Sequence, residues 1–188
     1  MARLQEPHIS PLTAFVERIR KTADPHSPGW VPYFDPKCGG TGAQVLMLLE
    51  SPGPKVSQTQ FVSADNPDGT AENMNCLLRL VGLSRSKILL WNIFPWQLSA
   101  ERVVTPTNQY LLEAVPATLE LLSLLPELKV IVLVGRKAEA GWEHAAVPVN
   151  PSIEILRCPH PSPLNFTPKP EAAALALSVL GQARQRCT

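Results

Sequence analysis

Apolar residues follow two rhythms along this chain. In 44–50, 87–92, 129–134 and 153–157 they are nearly continuous, as in strands buried on both faces of a parallel sheet. In 11–23 they recur as Leu12, Phe15, Val16 and Ile19, the stripe of a one-sided helix. Further helices are predicted over 70–82, 107–124, 136–145 and 170–185, with Thr70 and Thr107 as N-caps and Gly82 as a C-cap. The leucines within 111–125 form a core face of their helix. Strands alternating with helices predict an α/β fold: a single-domain three-layer sandwich with a central four-stranded parallel sheet flanked by helices. Residues 1–188 form one domain. An N-terminal helix and Pro/Gly-rich segment fill 1–42, with Trp30, Tyr33 and Phe34 packing over the core, and the α/β core fills 43–181. There is no internal repeat.

Composition narrows the classes. With 188 residues and 45% hydrophobic content, the chain has enough apolar material for a sizeable core. A net charge of +1 argues against a tight non-specific nucleic-acid binder, which relies on many phosphate contacts. It leaves room for an enzyme that clamps a few phosphates from its loops. Of the 20 prolines, 13 cluster at 25–36, 52–54, 148–151 and 159–170, which fits rigid loops around a pocket or loops stiffened only for stability. Cys38, Cys76, Cys158 and Cys187 are scattered without a C-x-x-C pair. No metal or other cofactor is expected, and free thiols suit a reducing cytosol. The first residues lack signal-peptide features, and no apolar run reaches membrane-spanning length. His8, His26 and His144 lie outside any motif and are read as surface or structural.

The chemistry gathers where strands end. Glu50-Ser51-Pro52-Gly53-Pro54 follows the first apolar run. Glu50 is either a solvated strand end or, if buried beside a substrate, a base or electrostatic stabiliser. Gly53 allows a ligand close to the backbone. Asn92 closes 87–92 and is either a turn residue or a donor–acceptor pair suited to reading a base edge. Val134-Gly135-Arg136-Lys137 opens a helix, where amides and two cations either hold a phosphate or are simply solvated. His160-Pro161-Ser162-Pro163-Leu164 follows the last strand. Its prolines stiffen it, so it presents a histidine, a hydroxyl and an apolar tip in fixed order, or else merely leads into the last helix.

Together these segments resemble the uracil-DNA glycosylase superfamily across roughly residues 43–181. Leu49-Glu50-Ser51-Pro52-Gly53 is similar to the Gly-Glu-Ala-Pro-Gly motif of its thermophile-type branch. Leu89-Leu90-Trp91-Asn92 is similar to Leu-Leu-Leu-Asn, and residues 160–164 match the closing motif. Thr70-Ala71-Glu72-Asn73-Met74 is similar to the start of a family helix. The resemblance implies Glu50 and His160 as catalytic groups, with Ser51, Gly53, Phe61 and Asn92 around the base. Phe61 would stack on it and Asn92 would read its edge. Pro52, Ser162, Leu164, Arg136 and Lys137 would meet DNA, Leu164 as the wedge that fills the vacated stack.

The implied reaction is hydrolysis of the N-glycosidic bond of a flipped deaminated base, most simply uracil. The implied partner is DNA carrying a damaged base, acted on by a monomeric, non-membrane enzyme that is cytoplasmic and nucleoid-associated. Three departures bear on this. Ser51 stands where the best-known branch has its water-activating aspartate, which leaves Glu50 as the motif carboxylate. Gly53 stands where a tyrosine would press on a 5-methyl group. The iron–sulfur cluster of the thermophile-type branch has no matching cysteines. Hypoxanthine or a mismatched or 5-modified pyrimidine stays open as substrate, and so does a non-catalytic nucleic-acid or base binder.

Overall fold

The computed structural model describes residues 2–21, 30–99, 101–102 and 104–187. His26, Pro25, Pro28 and the last two residues of the predicted 11–23 helix lie outside the described residues. The chain opens with α1 (Ser10–Lys21), β1 (Tyr33–Phe34), β2 (Val45–Leu49), the short α2 (Val56–Thr59) and β3 (Phe61–Val62). Then come α3 (Gly69–Val81), β4 (Ile88–Asn92), α4 (Asn108–Glu113), α5 (Val115–Ser123), β5 (Val130–Val134) and α6 (Arg136–Ala145). It closes with β6 (Glu154–Cys158), the short α7 (Pro163–Phe166) and α8 (Pro170–Arg186).

β4, β2, β5 and β6 form a four-stranded sheet in that order, with every pairing parallel. Parallel crossovers in one sheet are right-handed. Here β2 crosses one way to β4 through α3, while β4 to β5 and β5 to β6 cross the other way through α4, α5 and α6. That reversal sends α3 to one face and α4–α6 to the other. The helix contacts agree: α8 packs on α3, whereas α4 packs on α5 and α6. The chain is therefore a mixed α/β domain whose central sheet is covered by helices.

The continuous apolar runs became the sheet because both its faces are covered. Val45, Leu46, Met47, Leu48, Ile88, Leu89 and residues 130–133 have almost no exposed surface. The N-terminal segment closes over β4: Trp91 stacks on Phe34 with centroids 3.9 Å apart, and Phe15 of α1 sits 6.0 Å from Trp91. Truncating such a ring typically costs about 3–5 kcal/mol. Tyr33 and Phe34 are buried as expected, and Trp30 is half-buried.

Thr107 accepts from the Tyr110 amide, and Gly82 ends α3 at φ 66°, so both of these caps hold. Thr70 does not cap its helix. Asp68 does, its carboxylate accepting from the amides of Thr70 and Ala71, both at 3.0 Å, because a carboxylate two residues earlier reaches two free amides at once. The predicted 107–124 helix is also two helices, broken at Ala114. Pro116 lacks an N–H, and its ring opposes the carbonyl four residues back. Of its leucines, Leu111, Leu121 and Leu125 are buried while Leu112 and Leu119 are exposed.

The paired two-residue strands β1 and β3 are too short to leave a pattern. The His8 ring sits 3.2 Å from the Pro36 carbonyl, and His144 is exposed. No helix among the described residues is long and apolar enough to cross a membrane.

Candidate active site

All four long strands end on one edge. Asn92 lies opposite Leu49, Leu48 opposite Leu133, and Cys158 opposite Val134. Glu50, Gly135 and His160 follow β2, β5 and β6, so the edge reads Asn92, Glu50, Gly135, His160 across the sheet. β2 and β5 are neighbours whose following helices lie on opposite faces. Such a switch point leaves a crevice beyond the strand ends, where open α/β sheets hold ligands.

Beyond β4, the amides of Ile93 and Phe94 donate to the carbonyls of Leu49 and Glu50 at 2.8 and 3.0 Å. The β2–β4 ladder thus runs past its ends and fixes the Glu50 backbone. Its side chain is only 16% exposed. Oε1 is buried and accepts no hydrogen bond among the described residues, and the Lys137 ammonium stands 3.4 Å from it. The Asn92 side chain is buried, and its Oδ1 likewise accepts no hydrogen bond among the described residues. A buried acceptor without a hydrogen bond, as at Asn92 Oδ1, costs about 1–3 kcal/mol, a cost that the nearby Lys137 cation offsets at Glu50. Two such acceptors at one sheet edge suit a polar ligand that donates to them.

His160 is held from two sides. Asn165 Nδ2 donates to its carbonyl at 3.0 Å, and Asn73 Nδ2 of α3 donates to the Pro161 carbonyl at 2.9 Å. Behind the imidazole lies Gly135, at φ +90°. A Cβ there would come within 2.8 Å of the His160 Cβ, so only glycine fits. Pro163 similarly occupies the space beside Gly69, where a Cβ would lie 2.5 Å from its Cγ. Burial pushes the His160 imidazole below its ordinary pKa. Glu50 and Asp68 oppose that shift, and Lys137 adds to it. The ring is accordingly neutral at pH 7, with one N–H to donate and no charge of its own.

The remaining sequence-predicted residues fall as follows. The Ser51 hydroxyl donates to the Val104 carbonyl at 3.2 Å, and Pro52 is buried behind it. Gly53 has open space where a side chain would start, and its carbonyl accepts from Gln97 Nε2 at 3.0 Å. Ser162 is half-buried, Arg136 exposed, and Leu164 91% exposed at the loop tip. Lys137 leans into the crevice, its ammonium bonding Thr105 Oγ1 as well as facing Glu50.

Phe61 belongs to β3, which pairs with β1 and not with the four-stranded sheet. It sits in β3 beside Tyr33, with centroids 6.4 Å apart, and borders a cavity with Asp35, Lys37 and Asn66 that no strand-end residue lines. β3 is anchored next door, where Ser63 and the partly buried Arg85 both bond Asp35. All four cysteines are free thiols, and burial pushes Cys158, the one nearest the site, up to about 12.

Sequence reasoning missed Asn73, Gly135 and Asn165 as supports of the histidine loop, Asp68 as a charge acting on the imidazole, and Thr105 as the partner of Lys137. Asn73 lay inside a quoted motif, but nothing local signals a bond to a carbonyl 88 residues away. Residues 36–180 match the family model described as the uracil DNA glycosylase superfamily. No curated protein matches the chain.

Proposed function

Because the chain belongs to the uracil DNA glycosylase superfamily, we propose that it is a DNA repair glycosylase that hydrolyses the N-glycosidic bond of a flipped uracil. The observation that carries this reading is the placing of Asn92, Glu50 and His160 along one sheet edge, where a buried oxygen of Asn92 and one of Glu50 accept no hydrogen bond among the described residues.

A base inside a duplex is out of reach of such a crevice, so it must swing out, at a cost of a few kcal/mol. Exposed Leu164 then occupies the gap. Asn92 Oδ1 accepts from N3–H of uracil, and its amide donates to O4. Cytosine presents the opposite pattern, which would leave buried groups unpaired.

As the bond breaks, its electron pair stays with the base and the sugar becomes oxocarbenium-like. Neutral His160 donates a hydrogen bond to the base oxygen, stabilising charge where it develops. Glu50 faces the sugar, offsets its positive charge and orients the water whose oxygen ends on C1′. The second proton of that water balances the departing base. Ser51, with its proton committed to Val104, has a positional role. Phe61 is assigned to base stacking by resemblance alone.

Gly53 favours a second substrate class. The open space there puts no side chain against the 5-position of a pyrimidine, so 5-substituted uracils and mispaired thymine fit the same chemistry.

Incubation with oligonucleotides carrying uracil, mispaired thymine, 5-hydroxymethyluracil or hypoxanthine, followed by alkaline cleavage at abasic sites, tests the proposal. The expected result is abasic sites at uracil, with His160→Ala slower by roughly 100-fold. Tight DNA binding without abasic sites on any substrate would mean a binding protein instead.

A further inference from the structure

Lys137 stands in the first turn of α6, where the helix dipole disfavours a cation. Its side chain is 58% exposed, yet its ammonium turns inward to Glu50 Oε1 at 3.4 Å and to Thr105 Oγ1. Residue 104, next to Thr105, takes the Ser51 hydroxyl on its carbonyl. One short segment therefore ties the turn after β2 to the start of α6, with the Glu50 carboxylate between them.

We propose that Lys137 is the positioning residue for Glu50: its tethered ammonium fixes the carboxylate and screens that negative charge from His160, instead of contacting DNA phosphate. This rests on the glycosylase reading of Glu50 and His160.

The charged groups facing His160 are Glu50 from the end of β2, Lys137 from α6 and Asp68 from the cap of α3. Asp68 is engaged with two amides of its own helix. Glu50 and Lys137 are thus the adjustable pair, and they act on the imidazole with opposite signs. Removing the cation leaves Glu50 unopposed. It then favours a protonated His160 and is less well placed to offset charge on the sugar. It also loses its only cationic anchor among the described residues.

The test compares wild type with Lys137→Met and Lys137→Arg, which should fold because the residue is half exposed. In single-turnover base release, Lys137→Met should lower the saturating rate by roughly tenfold or more, the scale of a displaced catalytic group. The DNA concentration for half-saturation should barely change. The acidic limb of its pH–rate profile should move to higher pH, and Lys137→Arg should return the limb toward wild type.

NMR titration of His160 in the free protein reads the same coupling without catalysis, and should show protonation at higher pH in Lys137→Met than in wild type. An unchanged His160 titration overturns the proposal. So does a weaker half-saturation with saturating rate and limb intact, which would make Lys137 a phosphate contact. If wild type releases no base, the glycosylase reading fails, and the titration still decides whether Lys137 governs His160.

Discussion

Replacing Gly135 by alanine tests how far the histidine depends on the strand behind it. Two costs can be worked from the geometry. Gly135 sits at φ +90°, ψ 152°, a region almost confined to glycine, where another residue costs about 1–3 kcal/mol. The new methyl would also lie 2.8 Å from the His160 Cβ, so one group must give by about 0.6 Å to reach ordinary contact near 3.4 Å. Such overpacking costs about 1–3 kcal/mol more.

The middle of the resulting range, about 4 kcal/mol, taken from the ~10 kcal/mol of a mid-range domain, leaves a weakened but largely folded protein. Misplacing a catalytic group by that distance should slow base release by roughly tenfold or more. Urea denaturation gives the first quantity and single-turnover base release at saturating DNA the second. Since the overlap is with Cβ, His160→Gly relieves it and His160→Ala does not. Gly135→Ala should therefore cost about 1–3 kcal/mol less in a His160→Gly background. Wild-type stability and rate in the single variant would refute this reasoning and mean that the turn relaxes freely.

Three further outcomes are expected. Asn92→Asp should weaken uracil release and relax exclusion of cytosine, read as the ratio of the two release rates, and an unchanged rate and ratio would make Asn92 a turn residue only. Leu164→Ala should lower the rate more on uracil in duplex than in single-stranded DNA, because only the duplex has a stack to refill, and equal losses would assign Leu164 to pocket shape. Burial lowers the His160 pKa on folding, so the unfolded chain binds that proton more readily. The folded state should lose stability as pH falls through the ordinary histidine value of about 6.5. Urea midpoints at pH 7.5 and 5.5 should differ less in His160→Gln than in wild type, and an identical difference would place the effect on other groups.

The sheet and its order of helices were legible because burial on both faces leaves nearly unbroken apolar runs, and the predicted 136–145 helix coincides with α6. The misread elements were governed by single residues: a carboxylate at Asp68 outcompeted the threonine two positions on, and Pro116 split a helix whose leucine spacing looked continuous. At the site, the motifs marked which residues leave the strands. They did not mark what those residues touch. Glu50 meets Lys137, His160 leans on Gly135, and Pro161 is held by Asn73, and each pairing joins positions far apart in the chain. For Gly135-Arg136-Lys137 a phosphate site and a solvated turn both stayed open, because a strand-to-helix turn with two cations looks alike from sequence whether its lysine faces outward or toward Glu50.

The strand order also sets a length. Asn92 stands on β4 and His160 follows β6, the two outer strands, with β2 and β5 between them. Adjacent strands lie about 4.8 Å apart, so roughly 14 Å separates the outer two backbones. The sheet edge thus acts as a ruler whose divisions are whole strands. Substitutions at Gly53 or Asn92 can change which ring sits between the outer posts. The distance between those posts is held by backbone hydrogen bonds beneath them, so it would change only by inserting or removing a strand.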